Sequence, residues 1–242
     1  MIIASWNVTR RDTRKWGLIY KGENIGGVDD LLTRGNGLVR LPVTHRLDGF
    51  YQSPQSGVFR FYTQLGLGNS FFHDEGFHLF YMEPGFYPSD AVSITSTLEF
   101  YDYRDNLIWQ GGSLLGNFDY EQQYTSLNLN WFPLPQHEVR LKFQWVAGSG
   151  EAAGAYRPNA NGQLTPSNDP IEDFSFTDTA LQLRYKYELA PLSELFVVYS
   201  HGGSDALADT ERNLGSALRR GLAEETASQF LVKLRYRFGI LD

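Results

Sequence analysis

The stretch most suggestive of metal chemistry is His73-Asp74-Glu75-Gly76-Phe77-His78. A zincin pair needs two histidines four residues apart on a helix, so that both imidazoles meet one metal. Here the histidines are five apart with Gly and Phe between them, and in an extended chain an odd spacing sends them to opposite faces. The segment is therefore read as a turn followed by a strand. Asn159, Asn161, Asn168 and Asp169 carry oxygen ligands but lack the spacing of a calcium loop. Glu224-Glu225 is an ordinary acidic pair, and sequence alone cannot place two carboxylates across a cleft as glycoside hydrolysis requires. No Gly-x-Ser-x-Gly and no phosphate-binding loop occurs. No catalytic residue, metal site or cofactor is expected. The chemistry that stands out is cationic and periodic: Arg140 and Lys142, Arg184 and Lys186, then Lys233, Arg235 and Arg237, each group on alternate residues.

Those cations stand on strands. The chain closes on Phe230, Val232, Leu234, Tyr236 and Phe238, interleaved with Lys233, Arg235 and Arg237. Successive strand side chains point to opposite sides, so this is one apolar face backed by one cationic face. Similar alternation sets Val139, Leu141, Phe143 and Trp145 against Glu138, Arg140, Lys142 and Gln144. It also sets Leu181, Leu183, Tyr185 and Tyr187 against Gln182, Arg184 and Lys186. A membrane barrel puts the apolar set against lipid and the polar set toward the lumen. The terminal strand resembles the C-terminal signature by which bacterial outer-membrane barrels are recognised for assembly, although Gly239 to Asp242 follow the last aromatic residue.

Composition bounds the fold. The 242 residues are 15 % aromatic and contain no Cys, so there is neither a disulfide framework nor thiolate chemistry. Mean hydropathy is −0.35, and no run approaches the roughly 18 apolar residues of a membrane helix. Barrel spans are only about 10 residues, half of them polar. The net charge of −7 argues against nucleic acid as a partner. Met1 to Ser5 shows neither a charged n-region nor an apolar h-region. An outer-membrane chain needs a leader, so a fragment or a trimmed segment is expected.

Turn signals divide the chain into about 12 strands, without alternating helices and without a linker; Leu107 to Gln110 starts one strand, which Gly111 to Asn117 is expected to bend. Residues 148–172 and 201–225 are expected to be long loops, and Leu207, Leu214, Leu218 and Leu222 suggest a short helix in the second, capped by Asp209 or Thr210. That segment is read as an ordered outer loop, with a lid folding into the lumen as the sharper alternative. The late connections alternate short and long, as in barrels with short periplasmic turns and long outer loops. The expected fold is all-β: an antiparallel transmembrane β-barrel of about 12 strands, or the C-terminal part of a larger barrel, forming one domain over residues 1–242. Val92, Leu141, Phe143, Leu183, Val197, Val232 and Leu234 would face lipid. Trp131, Trp145, Tyr185, Tyr187, Tyr199 and Tyr236 would supply interface aromatics.

Three stretches carry a family resemblance: Trp131 to Lys142 (WFPLPQHEVRLK), Tyr185 to Ser200 (YKYELAPLSELFVVYS), and the terminal strand. Together they resemble the C-terminal barrel region of the domain-of-unknown-function 5916 family, most clearly from about residue 90 onward. The resemblance implies an outer-membrane-like barrel, often joined to an N-terminal family-9-type carbohydrate-binding module. It supplies no catalytic residues.

The sequence thus points to a non-catalytic barrel of a Gram-negative outer membrane. It would be a passive pore or an anchor, with lipid and the barrel assembly machinery as partners and a glycan or anionic solute as cargo. Arg140, Lys142, Arg184, Lys186, Lys233, Arg235 and Arg237 would ring the periplasmic mouth of its lumen, or be absorbed in a salt-bridge lattice with Glu99 and Glu138. A soluble all-β glycan-binding or glycan-cleaving domain is the main alternative, and a protein-plugged secretion partner a third.

Overall fold

The structure, a computed structural model, describes residues 1–23, 27–72 and 76–238. Fourteen strands and one helix follow in order: β1 (Ile2–Thr9), β2 (Lys15–Glu23), β3 (Val28–Asp29), β4 (Val39–Arg40), β5 (Thr44–Gln52), β6 (Phe59–Gly68), β7 (Phe77–Ser89), β8 (Val92–Gly111), β9 (Leu114–Leu134), β10 (His137–Pro158), β11 (Leu164–Ser167), β12 (Phe174–Ala190), β13 (Ser193–Leu207), α1 (Leu214–Ala223) and β14 (Glu225–Arg235). Twelve strands form one antiparallel sheet in the order β1-β2-β5-β6-β7-β8-β9-β10-β12-β13-β14, with β11 hung on β10. Apart from the small β3–β4 pair and β11, each strand lies beside its sequence neighbours, the meander that short hairpins favour. No helix among the described residues is long and apolar enough to cross a membrane, which says nothing of strands.

The all-β, antiparallel expectation stands, and the sheet has the expected number of strands. Closure differs: among the described residues β1 and β14 pair with β2 and β13 alone, so the sheet is open rather than a closed barrel. One end of the sheet carries the short turns at 10–14, 53–58, 90–91, 135–136 and 191–192. The other carries the connections at 24–43, 69–76, 159–173 and 208–224. The tight β8–β9 turn at 112–113 also lies at this second end, so the longer connections gather at one end with that hairpin as the exception.

Three local expectations are corrected. The starts of both expected long loops, 148–172 and 201–225, are strand, because β10 runs on to Pro158 and β13 to Leu207. Gly148 and Gly150 lie opposite Phe176 and Phe174. A Cβ at either glycine would come within 2.6 and 2.4 Å of those rings, so the bare backbone seats the aromatic edge. Gly111 to Asn117 is not a bend within one strand but a hairpin between β8 and β9, turning through Gly112 at φ 51. The helix in the second long connection starts at Asn213, whose side chain accepts from the Ser216 N–H, and not at Asp209 or Thr210.

Strands β8, β9 and β10 run 20, 21 and 22 residues, about twice the span a bilayer requires. At their far ends Leu107 of β8 and Leu115 of β9 form a small core with Val39 of β4, against which Leu32, Leu41, Trp109 and Tyr156 pack. The connection between β2 and β5 is thus pinned to the long-connection end of the sheet.

Candidate functional site: a two-faced sheet

Ladder partners share a face, so the register assigns every strand residue to one side of the sheet. One side collects Trp6, Leu18, Leu47, Leu65, Phe80, Leu98, Leu127, Phe143, Leu181 and their alternates across β1 to β12. It ends in Val197 opposite Val232, Leu195 opposite Leu234 and Tyr199 opposite Phe230. Much of it is open: Leu67 and Leu234 are each 62 % exposed. Val139 to Trp145 are six steps of about 3.4 Å, so the apolar band is roughly 20 Å tall along the strand.

Of the expected lipid-facing residues, Val92, Leu141, Phe143, Leu183, Val197, Val232 and Leu234 all lie on this face, as do Trp131, Tyr185, Tyr187 and Tyr199. Trp145 also points this way but is corrected as an interface aromatic. It is 7 % exposed beneath α1, and its indole N–H donates to Thr177 Oγ1 at 3.0 Å. Tyr236 and Phe238 lie past the end of β14, ring against ring at 5.0 Å. Phe230, Val232 and Leu234 of the terminal signature share the apolar face.

The opposite side is polar. Arg140 lies directly across from Arg184, Glu138 from Lys186, Lys142 from Gln182, Lys233 from Phe196 and Arg235 from Glu194. Six of the seven predicted cations therefore share one face beside the short turns at 135–136 and 191–192. Arg237 lies beyond β14, its backbone N–H donating to Ser193 Oγ at 3.1 Å. The open sheet makes this group a patch across β10 to β14, not the expected ring. Two carboxylates divide it. Glu138 pairs with Arg140 and with Arg184 at 3.6 Å, while Glu194 pairs with Lys186 at 2.7 Å and Arg235 at 3.7 Å. Glu138 thus takes part in the lattice weighed as the alternative; Glu99 instead accepts from the Tyr101 hydroxyl. Lys142 and Lys233 form no ion pair among the described residues. Lys142 borders a recess of about 390 Å³ with Gln144, Gln182, Ser200 and Gln229.

Two further groups on the polar face escaped sequence reasoning. Asp48 is fully buried between Arg46, 2.5 Å away, and Lys21, 3.6 Å away. Its neighbour across the ladder is Gly66, where a Cβ would meet the carboxylate at 2.3 Å. The Arg46 guanidinium lies 4.6 Å over the Phe77 ring. Further along, Tyr62, Tyr81 and Tyr101 each donate a hydroxyl hydrogen bond two residues along their own strand, to Gln64, Glu83 and Glu99. Tyr62 stacks on Phe50 at 6.0 Å and meets Tyr81 edge-on at 5.9 Å, and Tyr101 stacks on Tyr103 at 5.9 Å. The i, i+2 spacing of Tyr and Gln or Glu was visible. Which strands bring the tyrosines together was not.

His78 stands on the apolar side, 3.3 Å from Asp102, while His73, Asp74 and Glu75 lie outside the described residues. Among the described residues no group of three or more His, Asp or Glu is placed to hold a metal. Asp169 lies in the connection after β11. Hydrogen bonds from Arg157 Nε at 2.8 Å and from Ser167 hold its carboxyl down to about 2. That arrangement fastens a loop and does not resemble a calcium shell.

No curated protein and no solved structure matches the chain. The family model described as a domain of unknown function (DUF5916) matches residues 3–240. The resemblance read from the β9–β10 and β12–β13 hairpins therefore extends over nearly the whole sheet, and the chain belongs to the DUF5916 family.

Proposed function

We propose that this chain builds the wall of a bacterial outer-membrane β-barrel, alone or as the C-terminal part of a larger one. In this reading the polar face borders a water-filled path for anionic solutes and does no catalysis. One observation carries the proposal: the apolar face continues through eleven hydrogen-bonded strands from β1 to β14, with a polar face behind it throughout. A water-soluble sheet would cover such a face, since monomers seldom expose more than a few hundred Å² of contiguous apolar surface. Lipid covers it at no cost in buried polar groups wherever the ladder satisfies the backbone, which leaves the outward edges of β1 and β14 to be paired. The gathering of the longer connections at one end, the β8–β9 hairpin excepted, supports the same orientation, with the basic patch on the periplasmic side. At such a mouth, Lys142 and Lys233 would attract anions.

The test is expression behind a signal peptide, followed by gel migration of the outer-membrane fraction with and without boiling. A band that shifts on heating, and a reversal potential in planar bilayers that favours anions, are the expected results. A monomer that stays in solution without detergent overturns the membrane reading.

The tyrosine array favours a second reading of the same face. Rings whose hydroxyls already bind a carboxylate or an amide present flat apolar surfaces beside polar acceptors, the arrangement that a sugar ring stacks against. Glycan contact would then centre on Tyr62, Tyr81 and Tyr101, whether the chain is a pore or the anchor of a glycan-binding module. Slower passage or weaker retention of an oligosaccharide in Tyr101→Ala would support it, and identical behaviour would remove it.

A further inference from the structure

Helix α1 lies on the apolar side of the sheet. Ala217 packs with Trp145 and Ala147, Gly221 sits against Thr177 and Thr179, and Thr179 Oγ1 donates to the Gly221 carbonyl at 2.6 Å. The helix therefore leaves the polar face open, and it does not act as the lumen lid weighed from the sequence. Its height on the sheet is set by the register. Leu129, Leu141 and Leu183 form one row, and Leu127, Phe143 and Leu181 the next. Above these lie Thr125, Trp145 and Thr179, then Gln123, Ala147 and Thr177, then Glu121, Ser149 and Ser175. The apolar band gives way to polar residues where α1 crosses.

The two flanks of the helix differ. At about 100° per residue, Leu214, Leu218 and Leu222 line one flank of the Ala217–Gly221 stripe and Arg220 takes the other. Arg220 pairs with Asp205 at 2.8 Å and with Glu211 at 3.0 Å. Asp205 lies opposite Thr177, in a row farther from the band than Thr179. The arginine flank is thus turned away from the band and the leucine flank toward it. Leu218 is half-buried against Trp145, while Leu214 and Leu222 are each 44 % exposed. Arg219 is exposed and forms no ion pair among the described residues.

We infer that α1 is an interfacial helix, lying in the headgroup layer at the upper rim of the apolar band. Leu214 and Leu222 would dip into the acyl boundary, with the arginines on the water side. The occupant of this exposed face is lipid, argued from the continuity of the leucine flank with the band below it, and the inference rests on the barrel reading. Amphipathic helices that lie in a membrane interface bury an apolar face by roughly 5–10 Å and keep basic residues on the other side.

The chain contains no Cys, so single cysteines label cleanly. The protein carrying Leu222→Cys or Leu214→Cys is coupled to an environment-sensitive fluorophore and folded into bilayers containing lipids brominated near the headgroup. Leu183→Cys marks the band and Asn161→Cys the distal connection. The expected result is loss of fluorescence at 214 and 222 comparable to that at 183, with none at 161. Loss at 183 but not at 214 or 222 overturns the inference and leaves the barrel reading standing. No loss at 183 overturns the barrel reading, and the inference with it.

Discussion

At the scale of single residues, the polar face separates charges that hold the sheet from charges without an ion-pair partner among the described residues. Glu138 is 9 % exposed and serves both Arg140 and Arg184. Glu138→Gln would leave two guanidiniums side by side without their counter-ion. A loss of about 2 kcal/mol is expected, the size of a charged hydrogen bond in a partly screened setting; the folded fraction against urea measures it. Lys142→Gln removes a charge with no ion-pair partner among the described residues and should change stability by less than about 0.5 kcal/mol. It should nevertheless lower anion preference in bilayer recordings. If both variants shifted stability and selectivity alike, the division between paired cations and those proposed to meet anions would be wrong. Asp169 gives a pH signature of its own. Arg157 and Ser167 hold its folded carboxyl at about 2, below the ordinary 3.8. A depressed carboxyl stabilises above its unfolded value and loses that contribution as pH falls through the folded one. Protection of the 159–173 connection should therefore be full at neutral pH and decline only between about pH 4 and pH 2. Amide exchange at stepped pH reads this directly, and loosening already at pH 5 would contradict it.

At the scale of elements, legibility in the sequence tracked how local the cause was. β10, β12 and β14 announce themselves because alternation is written in adjacent residues, and the register merely aligns faces that each strand already had. The far half of β10 was illegible because Gly148 and Gly150 have no strand preference of their own; their partners Phe176 and Phe174 come from β12. Filling one of these slots, as in Gly148→Val, forces the ring off its seat. It should cost about 1–3 kcal/mol, as overpacking does; a lowered urea midpoint with an unchanged β-type spectrum is the expected reading. The helix was legible in its leucine spacing, but its true cap, Asn213, was hidden by the nearer candidates Asp209 and Thr210. Replacing Asn213 by Ala should loosen α1 by about 1 kcal/mol, seen as faster exchange of Ser216 and its neighbours while β12 is unchanged. The cationic patch could be read from parity on three separate strands. The Asp48 group and the tyrosine array could not, because their meeting depends on which strands lie adjacent.

At the scale of the whole molecule, the direction of the edge strands limits how the sheet can close. β1 runs from the long-connection end to the short-turn end, since Thr9 pairs with Lys15 beside the turn at 10–14. β14 runs the same way, from Glu225 opposite Gly203 to Arg235 opposite Glu194. Joining them directly would make one parallel seam in an otherwise antiparallel wall. A second copy standing the same way up in the membrane would meet the same conflict, because its β1 and β14 share that direction. All-antiparallel closure therefore takes an odd number of further strands, each edge receiving a neighbour that runs from the short turns toward the long connections. An open edge inside a bilayer would leave a row of amides and carbonyls without partners, at several kcal/mol each. On the proposed membrane reading, the outward amides of β1 and β14 in bilayer-reconstituted protein should thus exchange with deuterium as slowly as those of β9. Fast exchange along both edges, in a preparation whose central strands are protected, would mean that the sheet stays open. The reading as part of a closed wall would then give way to an open platform whose apolar face needs another cover.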